Sequence, residues 1–384
     1  MDMTMKALLQ LVKSAMTGKE QPLPKDVSLE AIYELALKHQ IAPMAYDGAI
    51  RCGYTKQEVC VLNLFQHYCR AMIKSENQIK RLNDLYAAFD AAQIDYMPLK
   101  GCNMKALYPT PELRTMNDAD ILIRVEQYDK IKSILEELGY SFVAESDCEL
   151  KWVIKGLYLE LHKRLIPSFI KDFYAYFGDG WQLAQPKQGT CYAMSKEDEF
   201  LFLFTHFARH YREGGVGIRH MADIWYYRLK NPDLDEKKVV SVLKQMSLDV
   251  FYANILKTLE NWFEDGKQTD ATKRITRYVG NSGSFGNEES KTVAEGVRAG
   301  GKKKSAWGMI FPPLNSMRYA YPVLKKCPVL LPVVWVYRWF KVLFFERKKI
   351  KYRTGRIKNL EKEKLEAFEK EMRAVGIQVR FEEK

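Results

Sequence analysis

Residues 96–123, YMPLKGCNMKALYPTPELRTMNDADILI, decide how the rest of the chain is read. An apolar start, Tyr96 to Leu99, runs into Lys100 and Gly101, and a loop holding Pro109 and Pro111 follows. Asp118 and Asp120 then stand directly before Ile121, Leu122 and Ile123. Side chains alternate along a strand, so the two aspartates share one face while Ala119 and Ile121 take the other. Two carboxylates on one face, roughly 7 Å apart by the strand rise, repel each other unless a cation sits between them. Oxygen ligands of this kind suit Mg²⁺, which keeps waters and draws its other ligands from substrate phosphates. The competing reading is a strand end with two solvated aspartates.

Working outward, residues 1–92 read as an N-terminal helical segment, with Leu62, Phe65, Cys69, Met72, Ile79, Leu82, Leu85 and Phe89 at roughly helical spacing. The period changes at IDYMPL (94–99), a short strand in which Pro98 predicts an edge or a strand end. DADILIRV (118–125) is a second strand, QYDKIKSILEEL a helix stopped by Gly139, and YSFVAE, ELKWVI and GLYLELHKRL (156–165) are three further strands. Strands and helices mixed in this order over 93–190 predict an α+β domain. The helical signal returns at Ser195, three residues before Asp198 in a near capping box, and 195–279 reads as a C-terminal helical domain. Residues 280–305, rich in Gly, Ser and Lys, read as a flexible linker, and 306–384 as a basic, aromatic-rich helical tail.

LYLELHKRL places Glu160 and His162 on one strand face, with Leu159 and Leu161 opposite. A third carboxylate beside the aspartate pair would complete a two-metal site. One ion would hold a triphosphate and its leaving pyrophosphate, and the other would lower the pKa of an acceptor hydroxyl for in-line attack. Other motifs are weaker. His206 and His210 are spaced i, i+4 on a helix, but His-Phe-Ala-Arg-His lacks the glutamate of a metalloprotease HExxH. Arg219 and Asp223 share that spacing and read as an intrahelical ion pair. No Walker A, no GxGxxG after a strand and no GxSxG is present.

PLKG…YPTPELRTMNDADILI followed by LYLELHKRL resembles the uncharacterised nucleotidyltransferase family of the DNA polymerase β-like superfamily. The matching positions are Leu99, Lys100 and Gly101; Arg114, Met116, Asp118 and Asp120; and Glu160, Leu161 and His162. HFARHY…GIRHMADIWYY is similar to that family's helical region, and the likeness spans about residues 30–350. It implies transfer of a nucleoside monophosphate from an NTP to an acceptor hydroxyl, with Mg²⁺ or Mn²⁺ held by Asp118, Asp120 and Glu160, which also serve as the catalytic residues. Lys100, Gly101, Arg114, His162, His206 and His210 are then the candidate nucleotide contacts. The superfamily carries Gly-Gly or Gly-Ser at the start of the first helix, where a hydroxyl meets phosphate. This chain has Lys100-Gly101-Cys102.

The 384 residues carry a net charge of +12, and its distribution is uneven. Residues 301–384 hold 21 Lys+Arg against 8 Asp+Glu, whereas the first 300 hold 39 against 40. The body is therefore no broad nucleic-acid-binding surface. Seven scattered cysteines without a CxxC pair argue against a disulfide framework and against zinc, and for a reduced, cytoplasmic protein. LLPVVWVYRWFKVLFFERKKIKYR (330–353) is short for a span and charged inside it. It suits either a helix packed on the protein or a peripheral contact with the inner membrane face. The alternative to an enzyme is accordingly a weakly active or inactive module of the same fold, acting at a membrane surface or in a complex.

Overall fold

The computed structural model describes residues 1–24, 27–284, 286–345, 355 and 360–379. Four helices come first: α1 (Met3–Thr17), α2 (Leu29–Lys38), α3 (Ala42–Arg51) and the 33-residue α4 (Val59–Ala91). The side chains of Asp2 and Ser28 accept first-turn amides and cap α1 and α2. Then come β1 (Tyr96–Leu99), α5 (Gly101–Leu107), β2 (Asp118–Ile123), α6 (Tyr128–Glu137), β3 (Ser141–Glu145), β4 (Glu149–Ile154) and β5 (Leu157–His162). After α7 (Lys171–Phe177), the hairpin β6 (Gln185–Gln188) and β7 (Cys191–Ala193) closes the α+β part; nothing in its sequence pattern marked it as strand.

The seven strands form one mixed sheet in the order β3-β4-β5-β2-β1-β7-β6. β1 lies inside this order, so of the two positions Pro98 predicts it takes the strand end and not the edge. The reason is that β7 pairs with β1 only at Tyr96, whose N–H donates to Thr190 O. Two residues on, where Pro98 has no N–H to give, that pairing has ended.

Alternation along the strands gives the sheet two faces. Ala119, Ile121, Ile123, Trp152, Leu159 and Leu161 pack with Leu82, Leu85 and Phe89 of α4 and Ile131 and Leu135 of α6. The other face meets a large helical body, where Leu122, Met97 and Leu99 join its core.

That body is made of α8 (Lys196–Arg212), α9 (Ile218–Lys230), α10 (Glu236–Gln245), α11 (Asp249–Phe263) and α12 (Asp270–Ser282), together with α1–α3. Segment 1–92 is thus not a unit apart: Leu8, Leu11 and Met44 share one core with Phe204, Tyr211, Ile255 and Val279. The N-terminal helices are too short to bury their apolar faces alone, and the returning helices cover them.

The linker reading of 280–305 is also corrected. Asn287 caps α13 (Glu288–Arg298), accepting the Ser290 N–H, and the helix buries Val293, Ala294 and Val297. Gly286, Gly300 and Gly301 flank this helix, and Gly296 lies inside it, close against Leu360 and Leu365. α14 (Lys302–Ile310), α15 (Leu314–Ala320), α16 (Val323–Lys326) and α17 (Leu331–Phe345) follow around a small core of Met317, Leu324 and Val334. α18 (Lys362–Ala374) returns to α13, and Val375, Ile377 and Val379 enter the main core. Residues 346–353, the basic end of the predicted membrane-contact stretch, lie outside the described residues. Among the described residues no helix is long and apolar enough to cross a membrane.

Candidate active site

Strand register assembles the sheet wall of the site. β2 and β5 run parallel with Asp118 beside Tyr158, Asp120 beside Glu160 and Leu122 beside His162. β4 runs antiparallel to β5 with Lys151 opposite Glu160 and Glu149 opposite His162. Paired residues point the same way, so Asp118, Asp120, Glu160, His162, Glu149 and Lys151 occupy one face. This face looks across a cavity of about 410 Å³ at the helical body.

Within it, ligand atoms of Asp120, Glu160 and His162 lie within 4.8 Å of one another. Asp118 lines the same cavity but is exposed and falls outside this compact group. The strand rise explains the gap: two residues along, it stands roughly 7 Å from Asp120. The three-carboxylate set of the sequence reading therefore becomes a compact group of two carboxylates and an imidazole, with Asp118 at its rim.

Asp120 Oδ1 receives both Lys100 Nζ and His162 Nε2, each at 2.8 Å. Burial opposes its ionisation, but Lys100 and His162 prevail and hold the carboxyl well below the usual carboxylate range. Glu160 goes the other way. Burial, then the charges of Glu149 and Asp120, push its carboxyl up, although Lys151 Nζ sits at 2.5 Å. Lys151 also reaches Glu149 at 3.0 Å, bridging the two glutamates. Neither Glu149 nor Lys151 was singled out from sequence. Their signal was available, as polar residues at alternating positions of the otherwise apolar ELKWVI.

Lys100 leaves β1 with φ +43°, outside the usual range for a side-chain-bearing residue, and this bend aims its ammonium at Asp120. Its sequence role as a phosphate contact thus becomes, in this structure, an ion pair within the acid cluster. Gly101 lines the cavity, yet a Cβ there would come within 3.1 Å of Met116 Sδ, so its first use is close packing against that side chain.

Arg114, expected as a nucleotide contact, lines the cavity with its fork engaged by the protein itself. Its Nε donates to Asp223 Oδ1 and its Nη2 to Oδ2, both at 2.7 Å, and its Nη1 donates to Thr115 O at 2.6 Å. Tyr108 Oη adds a bond to Asp223 Oδ1 at 2.7 Å. The arginine fork ties the loop before β2 to α9, and the predicted Arg219–Asp223 pair gives way to this buried, bidentate one. His162 is likewise an Asp120 partner first.

His206 and His210 do line the cavity, with ring centroids 4.4 Å apart on α8. Burial, then the cations Lys100 and Arg209, keep both rings neutral, with His210 pulled down to about 3. The helical wall also presents Arg209, Arg219, His220, Ser284 and Lys291. None of these was assigned to the site from sequence, since helical spacing alone does not say which face meets a distant sheet.

The donor set fits a divalent cation. Asp120 and the half-buried Glu160 press on each other, burial and the charges of Glu149 and Asp120 push Glu160 up despite Lys151, and an imidazole stands beside them. The strand-borne acidic face stands opposite a helical wall that carries Arg209, Arg219 and Lys291. Residues 25–264 match the model of the uncharacterised nucleotidyltransferase family, and the chain belongs to that family. No curated protein matched. Among solved structures, the solution structure of the antibiotic-resistance factor ANT(2'')-Ia is similar at 17% identity and a TM-score of 0.34, covering 49% of this chain and 97% of its own. At that TM-score the likeness carries no argument about this site.

Proposed function

We propose that the protein transfers a nucleoside monophosphate from an NTP to an acceptor hydroxyl and releases pyrophosphate. The observation that carries this reading is the Asp120–Glu160–His162 group, with ligand atoms within 4.8 Å, on the floor of a cavity that opens past Asp118. Asp120 and Glu160, with Asp118 at the rim, would hold Mg²⁺ or Mn²⁺. When bound, such ions neutralise phosphate charge and lower the pKa of an acceptor hydroxyl.

The chain's own side chains account for the rest. His162 orients Asp120 through Nε2, and Lys100 offsets the Asp120 charge. Glu160, beside Asp120 on the neighbouring strand, would complete the ion's ligands and help take the acceptor proton. The acceptor oxygen bonds to the α-phosphorus as the bond to the bridging oxygen breaks, and that oxygen departs with the pyrophosphate.

The test is a screen of the four NTPs, labelled at the α-phosphate, with Mg²⁺ or Mn²⁺ against pools of hydroxyl acceptors. Label appears in product with the wild type and is lost in Asp118→Asn and Asp120→Asn. A folded protein that binds no NTP and moves no label under either metal sinks the reading.

A second reading concerns the tail. On α17, Trp335 and Trp339 turn inward onto Phe311 and donate their indole N–H to Pro312 O and Ile310 O. The opposite stripe, Val333, Val336, Tyr337, Phe340 and Phe344, is exposed at helical spacing. With the excess of Lys and Arg in residues 301–384, this stripe complements an anionic lipid surface. Flotation with vesicles containing phosphatidylserine, but not with phosphatidylcholine alone, supports peripheral docking. Co-flotation with neither, or self-association through the stripe, rejects it.

A further inference from the structure

The helical wall buries more positive charge than its own acids neutralise. Arg114 and Arg219 are 7% and 6% exposed and lie beside one acid, Asp223, whose two oxygens are both taken by Arg114. Arg219 Nη1 reaches only neutral acceptors, Thr115 O at 3.1 Å and Gln40 Oε1 at 3.3 Å. Its Nε has no hydrogen-bond partner among the described residues. Burial and the neighbouring Arg114 pull its pKa down to about 10. A guanidinium buried at a cavity wall without a carboxylate of its own is costly unless an anion completes it.

Two further features converge there. Ser284, 3% exposed, lines the same cavity, and its Oγ also has no partner among the described residues. α9 begins at Ile218, one residue before Arg219; His39 Nδ1 takes the Ile218 N–H, and the helix start sets Arg219 at the cavity wall beside Ser284. The approach is close: a Cβ on Gly217 would stand 2.7 Å from Ser284 Cα, which presses Ser284 against the start of α9. Lys291 of α13 lines the outer side. Across the cavity, the charge of Asp118 acts on Arg219, so the subsite faces the rim of the acidic wall. The start of α5, in contrast, offers no hydroxyl. Cys102 packs into the core behind the sheet and bonds with Tyr86.

We propose that Arg219 and Ser284, with Lys291 outside them, form the subsite for the β- and γ-phosphates of the nucleotide. The proposal rests on the transferase reading above and assigns to the helical body the contact that a serine on α5 would otherwise make. Nucleotide binding then joins the sheet to the helical body, with the phosphate chain spanning both walls.

Calorimetric titration of the full chain with inorganic tripolyphosphate, with and without Mn²⁺, tests it. The wild type binds, and Arg219→Gln weakens binding by about 30-fold or more, the scale for breaking a buried charge-assisted contact. Arg219→Lys recovers part of the loss, whereas nucleoside monophosphate binding is unmoved in all three proteins. Arg219 also supports Thr115 and Gln40, so Ser284→Ala and Lys291→Met serve as variants that leave this support intact, and each weakens tripolyphosphate binding by several-fold. Tripolyphosphate bound equally by wild type and a folded Arg219→Gln, or unchanged binding in both Ser284→Ala and Lys291→Met, overturns the subsite. Label transfer with an unchanged KM for NTP in Arg219→Gln overturns the subsite and leaves the transferase reading standing. Arg219-dependent tripolyphosphate binding without any label transfer does the reverse.

Discussion

The sheet wall of the cavity takes its chemistry from one run of chain, residues 118–162, in which neighbouring strands set each side chain beside the next. The helical wall takes His206, Arg219, Ser284 and Lys291 from a much longer stretch, and it is held against the sheet by side-chain bonds from far away. Arg114 and Tyr108 grip Asp223, Thr115 and Gln40 receive Arg219, and His39 receives the Ile218 N–H. Backbone ladders make the first wall stiff and self-specified. Single polar ties make the second dependent on a few buried pairs. Changes on the sheet side should therefore cost chemistry with little loss of stability, and changes in the ties should cost stability first.

The largest effect expected is from Asp120→Asn. Removing this charge from the cation site should lower kcat by about 10³-fold or more, the scale of metal charge stabilisation. The thermal midpoint should fall less than in a broken inter-wall tie, since Lys100 and His162 lose a charged partner while the repulsion between Asp120 and Glu160 is relieved. Single-turnover label transfer and a melting curve together decide it. A large stability loss would break the contrast between the walls.

Arg114→Met tests the opposite wall. It leaves Asp223, 1% exposed, without its ion-pair partner, and should cost about 3–5 kcal/mol in urea denaturation. A variant as stable as the wild type would show that the helical wall does not hang on this tie.

His162→Ala sharpens the sheet side. Losing the group that orients Asp120 should weaken Mn²⁺ binding by about 10–100-fold, measured by titration, with global stability nearly unchanged.

The smallest effect is on pH. His39 is fully buried, its pKa pulled down to about 4 chiefly by burial and then by Lys38, and its Nδ1 accepts the Ile218 N–H at 3.2 Å. Its folded value lies below the unfolded value of about 6.5, so the unfolded chain binds the extra proton. The stability it confers is whole above that unfolded value and is lost as pH falls from about 6.5 toward 4. Between pH 7 and pH 5 this one group should remove about 2 kcal/mol. His39→Asn should flatten that slope in denaturation curves, and an unaltered slope would assign the pH response elsewhere.

Much of the sheet wall could be read in advance. DADILI, ELKWVI and LYLELH each alternate, so the shared face of Asp118 with Asp120, and of Glu160 with His162, follows from the two-residue period. The capped starts of helices were legible for the same local reason, and Ser195 does accept the Asp198 N–H at the head of α8. Arg114 was not legible. Its partner Asp223 lies over a hundred residues away, and a nearer candidate, Arg219, sits one helical turn from that aspartate. Bidentate geometry in a buried setting decided between the two arginines, and no spacing rule contains that information. The stretch around Glu288–Arg298 failed differently. Its glycines suggested a linker, while a helix forms there because it packs against α18 and Val297 enters the main core.

The order of residues by itself determined the acidic floor, because strand alternation and pairing act over a few bonds and leave a side chain only two faces. Tertiary structure alone decided which cations answer that floor. A buried charge is neutralised by whichever group folding brings within about 3 Å, and that distance depends on the packing of helices far apart in the chain.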